Sequence, residues 1–342
     1  MWYYRGNNTQ FVVLKPLAHE ERRLRQSVKT HIAVIAFPLL ALAFMATQAF
    51  AALKIEATYL YDLQGPTKDS QLQNQRNLYC DLERAEVYVV DTGNHCIRVF
   101  GKEGMQLFQF GHNGDLAVPL DVVINSQGDI YVLQSGPEGK GVIDVFDFRG
   151  KYLNRLELKD LPEGEDCRPN DIAIDSQDNV YVSDQRNGCI VSFDRDGHYR
   201  FSVLPPISEK EREEVVFGSL MIDDGGNVYL PVGTLGIVFV FDGAGQFVRN
   251  FGIKGGGPGK LAFPIDVAVD KHGHCLVLDH ARHCISVYDK DGRYMTEFGG
   301  MGTGPGWFFY PSGLEIDKYG RIYVSQTFGN RVQVLKLKEA YE

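Results

Sequence analysis

Between residues 77 and 335 the chain is written in short apolar runs separated by clusters of Gly, Pro, Asn and Asp. Such runs, bounded by turn residues, predict strands rather than helices. Residues 252–298 show one full unit. A Gly-Pro-Gly loop leads to Pro264 and the run Asp266 to Val269, then a turn at Lys271 to Gly273. A strand ending at Asp279, a loop, the strand Ile285 to Tyr288, the turn Asp289 to Gly292 and a fourth strand ending at Phe298 complete it. Four short strands joined by tight turns make one antiparallel sheet.

The unit recurs. Its second strand reads Val87-Tyr-Val-Val-Asp91, Ile130-Tyr-Val-Leu-Gln134, Val180-Tyr-Val-Ser-Asp184, Val228-Tyr-Leu-Pro-Val232, Cys275-Leu-Val-Leu-Asp279 and Ile322-Tyr-Val-Ser-Gln326, with spacings of 43, 50, 48, 47 and 47 residues. A sheet of four strands cannot bury both of its faces alone, whereas six arranged radially bury one another's. The expected architecture is all-β: a six-bladed propeller of four-stranded antiparallel blades. Its inner strands are expected at Leu78 to Asp81, Asp121 to Ile124, Asp171 to Ile174, Ser219 to Ile222, Asp266 to Val269 and Leu314 to Ile316. The last unit, ending at Leu337, lacks a fourth strand, while Leu53 to Asp62 alternates Ile55, Ala57, Tyr59 and Tyr61 without a unit of its own. The N-terminal strand is therefore expected to close the last blade, pairing with Arg331 to Leu337 and removing an open edge.

Asp91-Thr-Gly-Asn-His-Cys-Ile-Arg-Val-Phe100 and the Gly-Pro-Gly…Pro-x-Asp-Val-Ala-Val-Asp pattern of residues 257–270 resemble NHL repeats of the bacterial exported type. The resemblance covers roughly residues 77–335. It implies the propeller fold and says little of function, because one fold hosts many activities. In that family an Arg five residues after the strand-end Asp commonly holds the loops. Here Cys96, Cys189 and Cys284 take that place, and Arg331 alone keeps it. The resemblance then implies less neutralised carboxylates at Asp91, Asp184 and Asp279.

The first 51 residues differ in composition. Val28 to Ala51 has a basic start, an apolar run over Ile32 to Ala46, and Ala49-Phe-Ala51. This reads as a secretory signal cleaved after Ala51, with residues 1–51 an N-terminal extension and residues 52–342 the propeller. The alternative is an uncleaved anchor over residues 32–51, held by Arg22, Arg23, Arg25 and Lys29. The expected location is periplasmic or extracellular, membrane-attached only if the segment stays. Residues 1–27 lie far upstream of the signal, and Val28 is the expected native start. The net charge is −9; removing residues 1–51 leaves 29 basic and 42 acidic residues, a balance of −13. Such a surface repels phosphate backbones, which argues against nucleic acid as a partner.

Six cysteines in an exported chain invite pairing. Their repeat positions place them mostly in different blades, with Cys167 and Cys189 the one thinkable pair; otherwise they are small buried hydrophobes. His95-Cys96 and His283-Cys284 resemble metal pairs, but zinc needs three or four convergent ligands. Asp121, Asp171 and Asp266 each follow Pro by two residues and begin an inner strand. They suit calcium at the channel mouth, or the capping of local backbone amides. No His occupies the blade-start positions, unlike the channel histidines of the amidating lyase among related six-bladed propellers. Glu315 reads as a hydrogen-bonded surface residue.

Aligning the repeats matches Phe308 and Tyr310 to core positions and Trp307 and Phe309 to exposed ones, with Phe328 in a neighbouring loop. Ser208 and Glu211 form a capping-box pattern for a short helix through Val215. Glu163, Glu165 and Asp166, with Glu209, Glu211, Glu213 and Glu214, load the same loop face with acid. The expected function is a non-catalytic binding scaffold. Trp307, Phe309 and Phe328 would anchor a basic protein or peptide, and Glu163, Glu165 and Asp166 would steer it to a monomeric propeller. The alternative is a divalent-metal-dependent hydrolase or lyase at the channel mouth.

Overall fold

A computed structural model of the chain describes residues 53–63, 65, 67, 71–111 and 114–341. The segment read as a signal or anchor, 28–51, and the expected start at Val28 lie outside the described residues. Residues 54–340 form one compact unit of six four-stranded antiparallel sheets. Five of these are simple meanders of consecutive strands. The sixth orders Leu53–Asp62, Arg331–Tyr341, Arg321–Gln326 and Pro311–Ile316 side by side. The first strand thus closes the last blade, as the orphan alternation at positions 55–61 predicts.

The strands form where sequence and burial agree. The second strands Val180–Asp184, Val228–Val232 and Cys275–Asp279 are buried at every position, which suits their β-branched and aromatic runs. Outer strands such as Gln106–Phe110 and Tyr199–Val203 alternate towards a buried end, with one face on the next blade. The repeated Tyr of the second strand is buried at Tyr88, Tyr131, Tyr181, Tyr229 and Tyr323. Its hydroxyl reaches the turn below: Tyr229 donates to Asp223 (3.0 Å) and Tyr323 to Asp317 (3.2 Å). Those turns are set by their first Asp. Asp242 accepts from the amides of Ala244 (3.0 Å) and Gln246 (2.8 Å), and Gly245 takes the left-handed conformation the turn requires, φ +79°.

The core lies between blades rather than within one. Val90, Ile97 and Phe110 of blade one pack with Val122, Val132 and Phe146 of blade two. Ile172, Val182 and Phe193 of blade three pack with Val123, Leu133 and Val145 of blade two. Tyr323, Val332 and Val334 of blade six meet Leu78, Val89 and Phe100 of blade one. Each buried aliphatic side chain contributes about 1.5–3 kcal/mol, so blades stabilise one another and no blade stands alone.

At the closing seam, the Tyr61 hydroxyl donates to the Lys102 carbonyl of blade one (3.1 Å). Arg321 donates to the Tyr61 hydroxyl (3.2 Å), to Asp317 (2.6 Å) and to the Lys102 carbonyl. First strand, first blade and last blade are joined there. Loops between blades and loops between second and third strands share the opposite, loop face.

Candidate functional site

Two groups of residues on the loop side come from several blades: a ring at the channel axis and an aromatic patch at the rim. The ring is built at one repeat position near the start of each inner strand, two residues after a Pro in blades two, three, five and six and after Gln75 and Phe217 in blades one and four. Asn77, Asp121, Asp171, Ser219, Asp266 and Gly313 occupy it. A register irregularity between Pro and this residue recurs in blades two, three, five and six, a bulge that re-aims the side chain.

The carboxylates of the ring tie blades together. Asp121 accepts from the amide of Ile172 (3.1 Å), Asp171 from that of Leu220 (2.6 Å) and Asp266 from that of Leu314 (2.7 Å). In each case the donor belongs to the next blade, in its inner strand or, for Leu220, just before it. Asp121 and Asp266 also accept from the amides that follow them, Val122 and Val267 (both 2.8 Å). Asn77 donates to Asp121 (2.8 Å) and to Ser219, three blades away (3.3 Å). Its side chain therefore crosses the axis, and Gly313 leaves it room: a Cβ there would lie 2.8 Å from the Asn77 oxygen. The sequence places Asp121, Asp171 and Asp266 at the channel mouth. They are buried there; Asp121 and Asp266 cap local amides, as one of the two expectations has it, and all three also reach an amide of the next blade. Among the described residues, no group of three or more His, Cys, Asp or Glu side chains is arranged to hold a metal ion.

Burial has a large electrostatic effect in this ring. Desolvation pushes Asp266 up to about 8, against the two amides that favour its charge. Burial and the facing Asp121 carboxyl push Asp171 well above the carboxylate range, and burial also raises Asp121. Glu315, expected as a hydrogen-bonded surface residue, lies on the inner strand of blade six and accepts from the Ile316 amide. It is half-buried, and its carboxyl is pushed well above its ordinary range by desolvation first and then by the Asp266 and Asp121 carboxyls. Nothing in the sequence around Leu314-Glu-Ile316 marks it, because its surroundings come from other blades.

The strand-end residues fix the loop that enters their own blade. Asp91 accepts from the Gln73 amide (2.8 Å), Asp184 from Arg168 (2.9 Å) and Asp279 from Ala262 (2.6 Å) and Phe263 (3.0 Å). Gln134 and Gln326 do the same with Ala117 and Phe309 (2.8 Å each). The cysteine that replaces the family's Arg in blade one does not leave Asp91 bare. Arg98, two residues further on, lies 2.6 Å from it. All six cysteines are free and buried, and Cys167 and Cys189 remain unbridged. Burial pushes the Cys189 and Cys284 thiols up to about 12.

The rim patch differs from its expected form. Phe308 is buried, as predicted, and Trp307 is 52% exposed. Trp307 lies over the glycine loop before it, its indole against Gly300 and Gly302. Phe309 is half-buried rather than exposed, and Tyr310 is half-buried rather than core. Tyr310 is the centre of the patch. Phe309 and Phe328 stand edge-on to it, each with ring centroids 5.0 Å away, and Phe328 is 66% exposed. His283 packs at 5.0 Å and His280 at 5.7 Å. His280 Nδ1 donates to the Pro311 carbonyl (2.8 Å), and His283 Nδ1 accepts from the Tyr310 amide (3.1 Å). The sequence reading misses His280, and it places His283 beside Cys284 and Tyr310 in the core rather than in this patch. Repeat alignment assigns Tyr310 to the core by matching it with Phe263.

The acidic sector is exposed throughout. Glu163, Glu165 and Asp166 lie on the loop that enters blade three. Asp166 is held below the usual carboxylate range by Lys140, 2.6 Å away. Glu209, Glu211, Glu213 and Glu214 lie on the helix Glu209–Glu214. Ser208 and Glu211 cap each other's backbone at its start, as the sequence predicts.

Comparison with known proteins bears on the fold. A family model described as a 6-bladed beta-propeller matches residues 269–341, and an NHL repeat model matches residues 167–193. Protein brain tumor of Drosophila melanogaster is 28% identical over 118 residues, 33% of this chain. The match spans only 11% of that relative's length. Streptogramin B lyase aligns over 85% of this chain and 100% of its own, with a TM-score of 0.55 and 11% identity. A protein of unknown function from Bacteroides thetaiotaomicron VPI-5482 aligns over 83% of this chain and 77% of its own, with a TM-score of 0.63 and 14% identity. Virginiamycin B lyase from Staphylococcus aureus aligns over 83% and 99%, with a TM-score of 0.54 and 12% identity. At these identities the likeness is one of fold.

Proposed function

The chain is an NHL-repeat six-bladed β-propeller, and from that premise we propose that it is an exported, non-catalytic scaffold that engages a basic protein or peptide through its loop face. The observation that carries this reading is the patch around Tyr310. A cluster of partly exposed aromatic rings on a rigid face anchors partners well; here Phe328 is exposed on half-buried Phe309 and Tyr310, and the acidic sector shares the face. The axis beside it is crossed by Asn77, which favours the rim over the channel as the working surface. The test is capture of partners from an extract of the native envelope by the intact chain and by Phe309→Ala/Phe328→Ala. The variant should fold normally and lose at least about 2 kcal/mol of affinity. Unchanged capture refutes the patch. Export is tested separately, by amino-terminal sequencing of the mature chain: a start at Ala52 supports cleavage, whereas a start at Met1 or Val28 rules it out.

A second reading is favoured by the four acids gathered round the axis, Asp121, Asp171, Asp266 and Glu315. On that reading the chain is a divalent-metal-dependent hydrolase or lyase, and Asp121, Asp171 and Asp266 would rearrange from their amide partners to give oxygen ligands to calcium. A ligand bound only to the native state stabilises it, so chelator should lower the melting temperature. An unchanged melting temperature and no metal by elemental analysis remove this reading.

A further inference from the structure

We propose that His283 makes the loop-face patch pH-sensitive: neutral, it holds Tyr310 and the rings around it in place; protonated, it releases them. This rests on the reading of the patch as the docking surface, and it adds the regulation of that surface. The argument begins with a donor. The Tyr310 N–H points at His283 Nδ1 (3.1 Å), so Nδ1 must carry its lone pair and the ring proton must sit on Nε2. Protonation puts a second donor at Nδ1, facing the first, and the bond is lost. Tyr310 depends on such support because its backbone is left-handed, φ +53°, a conformation costly for a bulky residue. Phe309 and Phe328 both pack on that ring.

The surroundings favour the neutral form. His283 is 7% exposed, and burial lowers its pKa from the ordinary value, as does the neighbouring His280. The Phe308 carbonyl and Asp279 favour the proton and oppose them in part. The switch therefore operates on the acid side of about 6.5. Two other histidines of the loop face are bonded differently: His280, stacked beside His283, and His95 of blade one present Nδ1 as a donor to the carbonyls of Pro311 and Ala117. His95 and His283 occupy the same place in their repeats, just before Cys96 and Cys284, and both are left-handed. Asn330 occupies that place in blade six, also left-handed at φ +49°. An Asn at this position is thus compatible with the fold, and it offers an acceptor that does not titrate.

The test follows the Tyr310 amide by NMR between pH 5 and 7, in the wild-type chain and in His283→Asn. A labelled peptide of alternating Lys and Phe serves as the binding probe. Above pH 5 the exposed carboxylates keep their charge, so the acidic sector is constant across the series. The Tyr310 amide should titrate below pH 6.5 in the wild type and stay still in the variant. Peptide affinity should fall at least about tenfold on acidification in the wild type and change little in the variant. A Tyr310 amide that does not titrate, or an equal loss of affinity in the variant, overturns the switch. Peptide affinity that is insensitive to Phe309→Ala/Phe328→Ala sinks the docking reading instead, and the Tyr310 titration still decides the role of His283.

Discussion

Asp266 holds one oxygen on the Val267 amide and the other on the Leu314 amide of the next blade, in a site that removes it from water. Burial raises its pKa to about 8. An acid with a raised folded value keeps its proton in the native state where the unfolded chain, near 3.9, has lost it. Its contribution is therefore fully present below about pH 4 and is lost as pH rises through 8. Denaturant unfolding of the wild type should lose stability over that window relative to Asp266→Asn. Parallel curves for the two proteins contradict the assignment. Gly313 is the other sensitive position in the ring. An added methyl would press on the Asn77 oxygen and the Ser325 hydroxyl, each at 2.8 Å. Gly313→Ala should cost about 1–3 kcal/mol by the same denaturation experiment, and a neutral result means that Asn77 can leave the axis. At this scale the sequence is only partly informative. The Pro-x-Asp spacing marks Asp121, Asp171 and Asp266, but not that each reaches the next blade. The environment of Glu315 is built by strands far away in sequence, and no local pattern records it.

Elements are far more legible. Apolar runs bounded by Asp and Gly place the second strands to within a residue or so, because each is buried on both faces and tolerates no other pattern. The Ser208–Glu211 pair marks a six-residue helix in the longest loop. The closing strand follows from counting: one unit lacks a strand and one strand lacks a unit. What escapes is the conformation of single loop residues. Tyr310 aligns with Phe263, yet it alone of the two has positive φ, and this makes it the hub of a surface patch. Removing residues 53–62 strips blade six of its outer strand and the Tyr61 link to blade one. Size-exclusion chromatography should show aggregation or thermal melts a large loss of stability; a monomer with unchanged melting temperature rules out this closure.

The whole molecule sorts its surface by sector. The aromatic patch lies near blade six, and the exposed acids of residues 163–166 and 209–214 lie on the loops entering blades three and four. Rim charges chiefly change association rates and their dependence on salt. Replacing Glu209, Glu213 and Glu214 with Gln should slow association with the basic peptide at low salt and flatten its salt dependence, while dissociation stays unchanged. Stopped-flow mixing at two ionic strengths decides this, and an effect confined to dissociation counts against steering.

Ring closure by the first strand also constrains how the chain is made. On a ribosome, the strand Leu53–Asp62 emerges before the other strands of the propeller, but its hydrogen-bonding partner Arg331–Tyr341 is the last of them to be synthesised. At about 5–20 residues per second, that strand waits roughly ten seconds to a minute with its edge open. Blades one to five can stack in order behind it, each on the one before. The sixth cannot be finished until Arg331–Tyr341 has emerged. The two ends of the propeller are thus joined in the last step, so a truncated product keeps both an open strand edge and an uncovered blade face, a state that quality-control proteases and chaperones recognise.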